Sequence, residues 1–191
     1  DGRTSDVQRR QMTTVDSPNV RVVAVDGTFD DCQDLVKAMF ADTAFRDGVG
    51  LSAVNSINWA RVMAQVVYYA VAADTVRGPV DVCVPSGNFG NVFAGWIARR
   101  MGADIGRLIV ASNANDILTR FFRSNDMSAR GVVPSLSPSM DIQVSSNFER
   151  LLFEMNGRDG AATAEQLQRF RASGLLAVEP EQRQRFIDDV F

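Results

Sequence analysis

The sequence predicts an α/β protein with an open, mainly parallel sheet, helices on both faces and a helical C-terminal part. Short β-branched runs at 20–25, 51–54, 80–84 and 108–111 each give way to a stretch with apolar residues at helical spacing. That alternation implies parallel strands joined by helical crossovers. Beyond residue 142, three helical patterns follow with no strand between them. The third observation is the segment Val80-Asp-Val-Cys-Val-Pro-Ser-Gly-Asn-Phe-Gly-Asn91, where an apolar strand runs into a glycine turn that opens a helix.

Element by element, Val20-Arg-Val-Val-Ala-Val25 is nearly unbroken, as expected for a strand covered on both faces. Phe29, Cys32, Leu35, Val36, Met39 and Phe40 then recur at helical spacing, behind a capping-box pattern of Thr28 and Asp31. Leu51 to Val54 is a short strand leading into Asn55-Ser-Ile-Asn58, and Trp59 to Val76 reads as a long, largely buried helix ended by Arg77-Gly-Pro79. Val80 to Val84 is the third strand, with a helix from Val92 to Met101 closed by Gly102. Leu108 to Ala111 is the fourth, and Ser112-Asn-Ala-Asn-Asp116 caps a helix from Ile117 to Arg123. Ser124 to Ile142, rich in Ser, Pro and Gly, reads as an ordered connection. Helices are expected over 145–155, 163–172 and 181–190, the middle one stopped by Gly174. The Phe121-Phe122 pair and the methionines read as core.

Composition excludes several functions. The 191 residues are 46% hydrophobic with a net charge of −3, enough for a sizeable core in a soluble globular protein. There is no basic field to gather a nucleic-acid backbone or an anionic membrane. The longest apolar run, 62–73, is interrupted by Gln65 and is too short to span a bilayer. With no histidine and two isolated cysteines, Cys32 and Cys83, neither a Ser/His/Asp triad nor a metal site is expected. The cysteine usage and the lack of a signal peptide point to the cytoplasm. Lys37 is the only lysine. The abrupt start at Asp1 and the end inside a helical pattern suggest a piece of something longer.

The glycine turn narrows the ligand. Gly87 and Gly90 stand three apart, which is not the Gly-x-Gly-x-x-Gly spacing of a dinucleotide site, and no Gly-Lys-Ser/Thr follows. What remains is a compact turn suited to one phosphate monoester, with backbone N–H groups and a helix N-terminus facing the anion. The same junction also serves tight packing in α/β domains, and that reading stays beside it. Ligands of open parallel sheets sit beyond the carboxyl ends of the strands. Asn55-Ser-Ile-Asn58, Ser86 to Asn91 and Ser112 to Asp116 are therefore expected to line one crevice, although Asn and Ser before a helix also serve as simple caps. Arg61 and Gln65, one and two turns into the long helix, face either that crevice or a buried hydrogen-bond network.

Several blocks resemble threonine synthases of the bacterial and fungal type. They are Gln8-Arg-Arg-Gln-Met-Thr-Thr14, Gly27-Thr-Phe-Asp-Asp-Cys-Gln33, Asn55-Ser-Ile-Asn-Trp-Ala-Arg61, Pro85-Ser-Gly-Asn-Phe-Gly-Asn91, and Ser137-Pro-Ser-Met-Asp-Ile142 with Ser145-Ser-Asn-Phe-Glu-Arg-Leu-Leu152. The resemblance implies a central fragment of a pyridoxal-phosphate lyase of the tryptophan-synthase-β fold type (fold type II). It converts O-phospho-L-homoserine and water to L-threonine and phosphate. It further implies that Ser86, Gly87, Asn88, Phe89, Gly90 and Asn91 cradle the cofactor phosphate. Asn55, Ser56, Asn58 and Arg61 would serve the cofactor or substrate-phosphate side. Residues 1–142 would form the α/β cofactor-phosphate region and 143–191 a helical C-terminal region. The family's Schiff-base lysine would lie upstream of Asp1, because Lys37 reads as a residue on a solvated helix face. The chain alone is then expected to be inactive. Two rivals remain: another fold type II lyase or dehydratase, and a non-catalytic α/β module that binds a phosphorylated ligand.

Overall fold

Side-chain caps and left-handed stops set several of the helix boundaries in the computed structural model, which describes residues 4–27, 29–56, 58–128, 130–174, 176 and 178–190. The chain forms two compact units, 1–52 and 53–191. In the first, helix α1 (Asp6–Thr13) is capped by Ser5, whose Oγ accepts from the Gln8 N–H at 3.4 Å. Helix α2 (Phe29–Ala41) packs against α3 (Thr43–Val49). Asp42 caps α3 by accepting from the Phe45 N–H at 3.0 Å, and Gly50 at φ +62° ends it. Thr28, half of the expected capping box, lies outside the described residues.

Two expected strands do not form. Residues 20–25 and 51–54 adopt no regular structure, and Val23 is 79% exposed. A β-branched run becomes a strand only when a neighbouring chain takes up its N–H and C=O groups, and no such ladder exists for either run among the described residues.

The second unit is built around β1 (Val80–Pro85) and β2 (Ile105–Ala111), which pair in parallel with Val84 opposite Val110 and Pro85 opposite Ala111. Helix α5 (Gly90–Arg100) connects them and packs on β2 and on α4 (Trp59–Thr75). Glycine makes the α4 contact possible. A Cβ on Gly95 would lie 2.6 Å from Cε1 of Tyr69, so the ring rests directly on the α5 backbone. Its hydroxyl donates to the carbonyl of Asn91 at 2.6 Å. Contrary to expectation, only one side of α4 is buried, through Val62 and Tyr69, while Met63, Val67, Tyr68 and Val71 are exposed.

Helix α6 (Ile117–Ser124) stops at Asn125, which is left-handed at φ +60°. A 3-10 turn (Pro138–Met140) and helices α7 (Phe148–Met155), α8 (Gly160–Ser173) and α9 (Pro180–Val190) follow, with Gly174 ending α8 as expected. Phe121 is fully buried and Phe122 partly so, yet the methionines are mostly not core: Met127 is buried but Met12, Met63 and Met101 are exposed. Thioether flexibility suits irregular surfaces as well as interiors. Among the described residues, no helix is long and apolar enough to cross a membrane.

The connection between α6 and α7 is ordered by a polar network. The Asn113 amide donates to Ser135 Oγ, Ser137 Oγ and Asp141 Oδ1 at 2.9, 3.0 and 2.7 Å. The Asn115 amide donates to Asp141 Oδ1 and to the carbonyl of Val133. At its start, Arg120 is 8% exposed and binds Asp116 and Asp126.

Candidate functional site

The loop between β1 and α5 is held by its own side chains. Ser86 continues the ladder, its N–H donating to the Ala111 carbonyl at 3.1 Å. Its Oγ donates to Asn91 Oδ1 at 2.6 Å and accepts the Phe89 N–H at 3.1 Å. The Asn91 amide returns to the Pro85 carbonyl at 2.8 Å. Within this frame Phe89 takes φ +64° and ψ −6°, a left-handed turn that costs an ordinary residue about 1–2 kcal/mol. An aromatic anchor offsets that strain: the Phe89 ring is fully buried and meets Phe148 edge-on at 5.5 Å.

This geometry leaves a set of donors unused. The N–H groups of Gly87, Asn88, Gly90 and Asn91 find no acceptor among the described residues. They flank a left-handed residue at the head of an 11-residue helix. Unpaired amides at the positive end of a helix dipole are an arrangement that favours negative charge. Both glycines sit in close quarters. A Cβ on Gly87 would lie 3.0 Å from Cγ1 of Ile142 and 3.2 Å from Cα of Met140, and one on Gly90 would lie 3.2 Å from Nδ2 of Asn147.

Asn88 ties the loop to two other segments. Its Nδ2 donates to Ser56 Oγ at 2.8 Å, and its Oδ1 accepts from the Ser146 N–H and Oγ at 2.7 and 2.8 Å. The first and second polar clusters are thus brought together. The third is not joined to the loop by any hydrogen bond among the described residues, because Asn113 and Asn115 are spent on the 133–143 connection. Asn58 caps α4, accepting from the Ala60 N–H at 2.9 Å, and Arg61 donates to the Val54 carbonyl at 2.9 Å. Asn55 precedes them, half-buried, its carbonyl taking the Asn58 N–H. Lys37 lies on α2, its side chain 47% exposed and 3.8 Å from Asp34.

Sequence reasoning missed Tyr69 and the Ser145–Asn147 segment as parts of the site. Tyr69 lies in an apolar run that reads as core, and burial pushes its hydroxyl up to about 12. Ser146 reaches Asn88 across a sequence separation of 58, which no local pattern encodes.

The comparisons with known proteins find relatives of one kind. No family model matches the chain. It is 57% identical to the threonine synthase of Pseudomonas aeruginosa over 182 residues, covering 94% of this chain and 39% of that protein. The chain is also 43% identical to the Schizosaccharomyces pombe threonine synthase, again over 94% of its length and 40% of the relative's. Among solved structures, the pyridoxal-phosphate-bound threonine synthase of Brucella melitensis superposes with a TM-score of 0.80 at 50% identity, covering 97% of this chain and 41% of that one. The yeast enzyme gives 0.77 at 42% identity, over 98% of this chain and 39% of that one. The chain therefore spans about two fifths of the length of the threonine synthases it matches.

Proposed function

We propose that this protein serves threonine synthase catalysis, the conversion of O-phospho-L-homoserine and water to L-threonine and phosphate, with pyridoxal 5'-phosphate as cofactor. The observation that carries this reading is the set of amides at Gly87, Asn88, Gly90 and Asn91, at the head of α5, that are unpaired among the described residues. They would hold the coenzyme's phosphate, while Ser86 and the Asn91 side chain keep the turn shaped and Phe89 anchors it. When bound, the cofactor supplies an electron sink for breaking bonds near the substrate's amino group. Ser56, hydrogen-bonded to Asn88, and its chain neighbour Asn55 are proposed to face the substrate, with Asn58 and Arg61 shaping that segment through their backbone bonds. The proposed setting is the cytoplasm, in keeping with the absence of a disulfide between Cys32 and Cys83.

A second reading rests on Lys37. A covalently attached cofactor needs a lysine in a desolvated pocket, and this one is solvated and paired with Asp34. The 191 residues alone would then bind the phosphorylated ligand without turning over substrate. One experiment tests both readings: titrate the chain with pyridoxal phosphate and with pyridoxal, then assay phosphate release from O-phospho-L-homoserine. Tight binding that requires the phosphate supports the cradle, and equal affinity for both compounds overturns it. Turnover by this chain alone would overturn the non-catalytic reading.

A further inference from the structure

The buried polar atoms beside the loop do not balance. Asn147 is 2% exposed and its Nδ2 has no hydrogen-bond partner among the described residues, while the neighbouring Ser145 Oγ is also buried and unpartnered among them. Native interiors rarely leave such donors unmet. The Asn147 amide is not loosely oriented, because its Oδ1 accepts from Arg150 Nε at 2.9 Å. Its backbone N–H donates to the Asn88 carbonyl at 3.3 Å, which holds the residue against the loop. The NH2 group is thereby aimed at Gly90, 3.2 Å from where a Cβ would stand, on the same loop that carries the unused amides.

We propose that Asn147 is a side-chain donor of the anion site at the head of α5, its NH2 group meeting a phosphate oxygen alongside the loop amides. This rests on the reading of that loop as a phosphate cradle and adds to it the residue that completes the donor set from a separate segment. Gly90 acquires a second role, since any side chain there would stand between the amide and the anion. Arg150 becomes a positioning residue, fixing which end of the amide faces the loop. It lies over Trp59 at 5.4 Å from the ring centroid, and that stacking keeps the guanidinium in place.

The test is a phosphate titration of the 191-residue chain followed by calorimetry and by the side-chain NH2 signals in a 15N-resolved spectrum. The Asn147 pair, identified by its disappearance in Asn147→Ser, should move with inorganic phosphate concentration. Asn147→Ala should weaken phosphate binding about tenfold, and Asn147→Asp, which places a carboxylate there, should weaken it further. Unfolding curves check that both variants fold, and the wild-type spectrum decides the matter if they do not. A stationary Asn147 signal, or Asn147→Ala binding within twofold of wild type, overturns the proposal while leaving the cradle standing. A wild-type chain that binds no phosphate overturns both.

Discussion

Asn88 Nδ2 donates to Ser56 Oγ across a sequence separation of 32, at 2.8 Å, while Oδ1 of the same side chain accepts two bonds from Ser146. One amide thus fixes the β1–α5 loop against the segment before α4 and the segment before α7. Asn88→Ala removes all of these bonds, so a loss of about 2–4 kcal/mol is expected, at roughly 1 kcal/mol per bond. Asn88→Asp keeps the acceptor for Ser146 and should cost less stability, yet its charge should weaken phosphate binding at least about tenfold. Urea unfolding and calorimetry separate the two effects. An Asn88→Ala variant as stable as wild type would show that the clamp contributes nothing.

Gly87 is the tighter of the two loop glycines. A methyl group there meets Ile142 and also the backbone at Met140, and a backbone atom cannot rotate away. Gly87→Ala should therefore cost about 1–3 kcal/mol by overpacking and weaken phosphate binding. Adding Ile142→Val should recover only part of the loss, because the Met140 contact remains. Full recovery in the double variant would mean that the side-chain contact alone decides.

The reach of sequence reasoning can be judged from individual elements. Helices α5 and α8 were legible because glycine turns and apolar spacing are local. Helices α1 and α3 were overlooked since neither buries a residue, so periodicity is silent. Their caps, Ser5 with Gln8 and Asp42 with Gly50, were the available signal. The runs at 20–25 and 51–54 misled because strand character belongs to a pair of chains, not to one. The loop 86–91 was legible as a strand–glycine-turn–helix junction, whereas Asn147 and Tyr69 meet it through long-range contacts that no spacing records.

Tyr69 couples helix packing to the loop and gives a pH signature. Burial raises its hydroxyl to about 12 in the folded protein. A raised value means that the neutral phenol's contribution is complete below the unfolded value near 10 and is lost as pH climbs toward 12. The shift sets an upper bound of about 3 kcal/mol on that loss. Tyr69→Phe should cost about 1 kcal/mol at pH 7 through the bond to Asn91 and should flatten the decline between about pH 10 and 12. Identical alkaline profiles for the two proteins would remove the hydroxyl from the account. Gly95→Ala, which drives a methyl group into the ring, should cost about 1–3 kcal/mol at every pH.

Arg120 and Asp126 make the corresponding case in acid. The Ser128 hydroxyl, the Arg120 guanidinium and the Ser128 N–H all donate to Asp126 and hold its carboxyl well below the usual range. A depressed value stabilises the fold above the unfolded carboxylate pKa near 4 and loses that contribution as pH falls below it. Both Arg120→Ala and Ser128→Ala should therefore make stability fall less steeply between pH 5 and 2. Arg120→Ala should also cost about 2–3 kcal/mol at pH 7, because Arg120 is buried and its loss strands two carboxylates that are only partly exposed. The measurement is the denaturant midpoint at pH 7, 5 and 3 for each variant. Parallel acid slopes for both variants and the wild type would show that this cluster does not set the acid sensitivity of the fold.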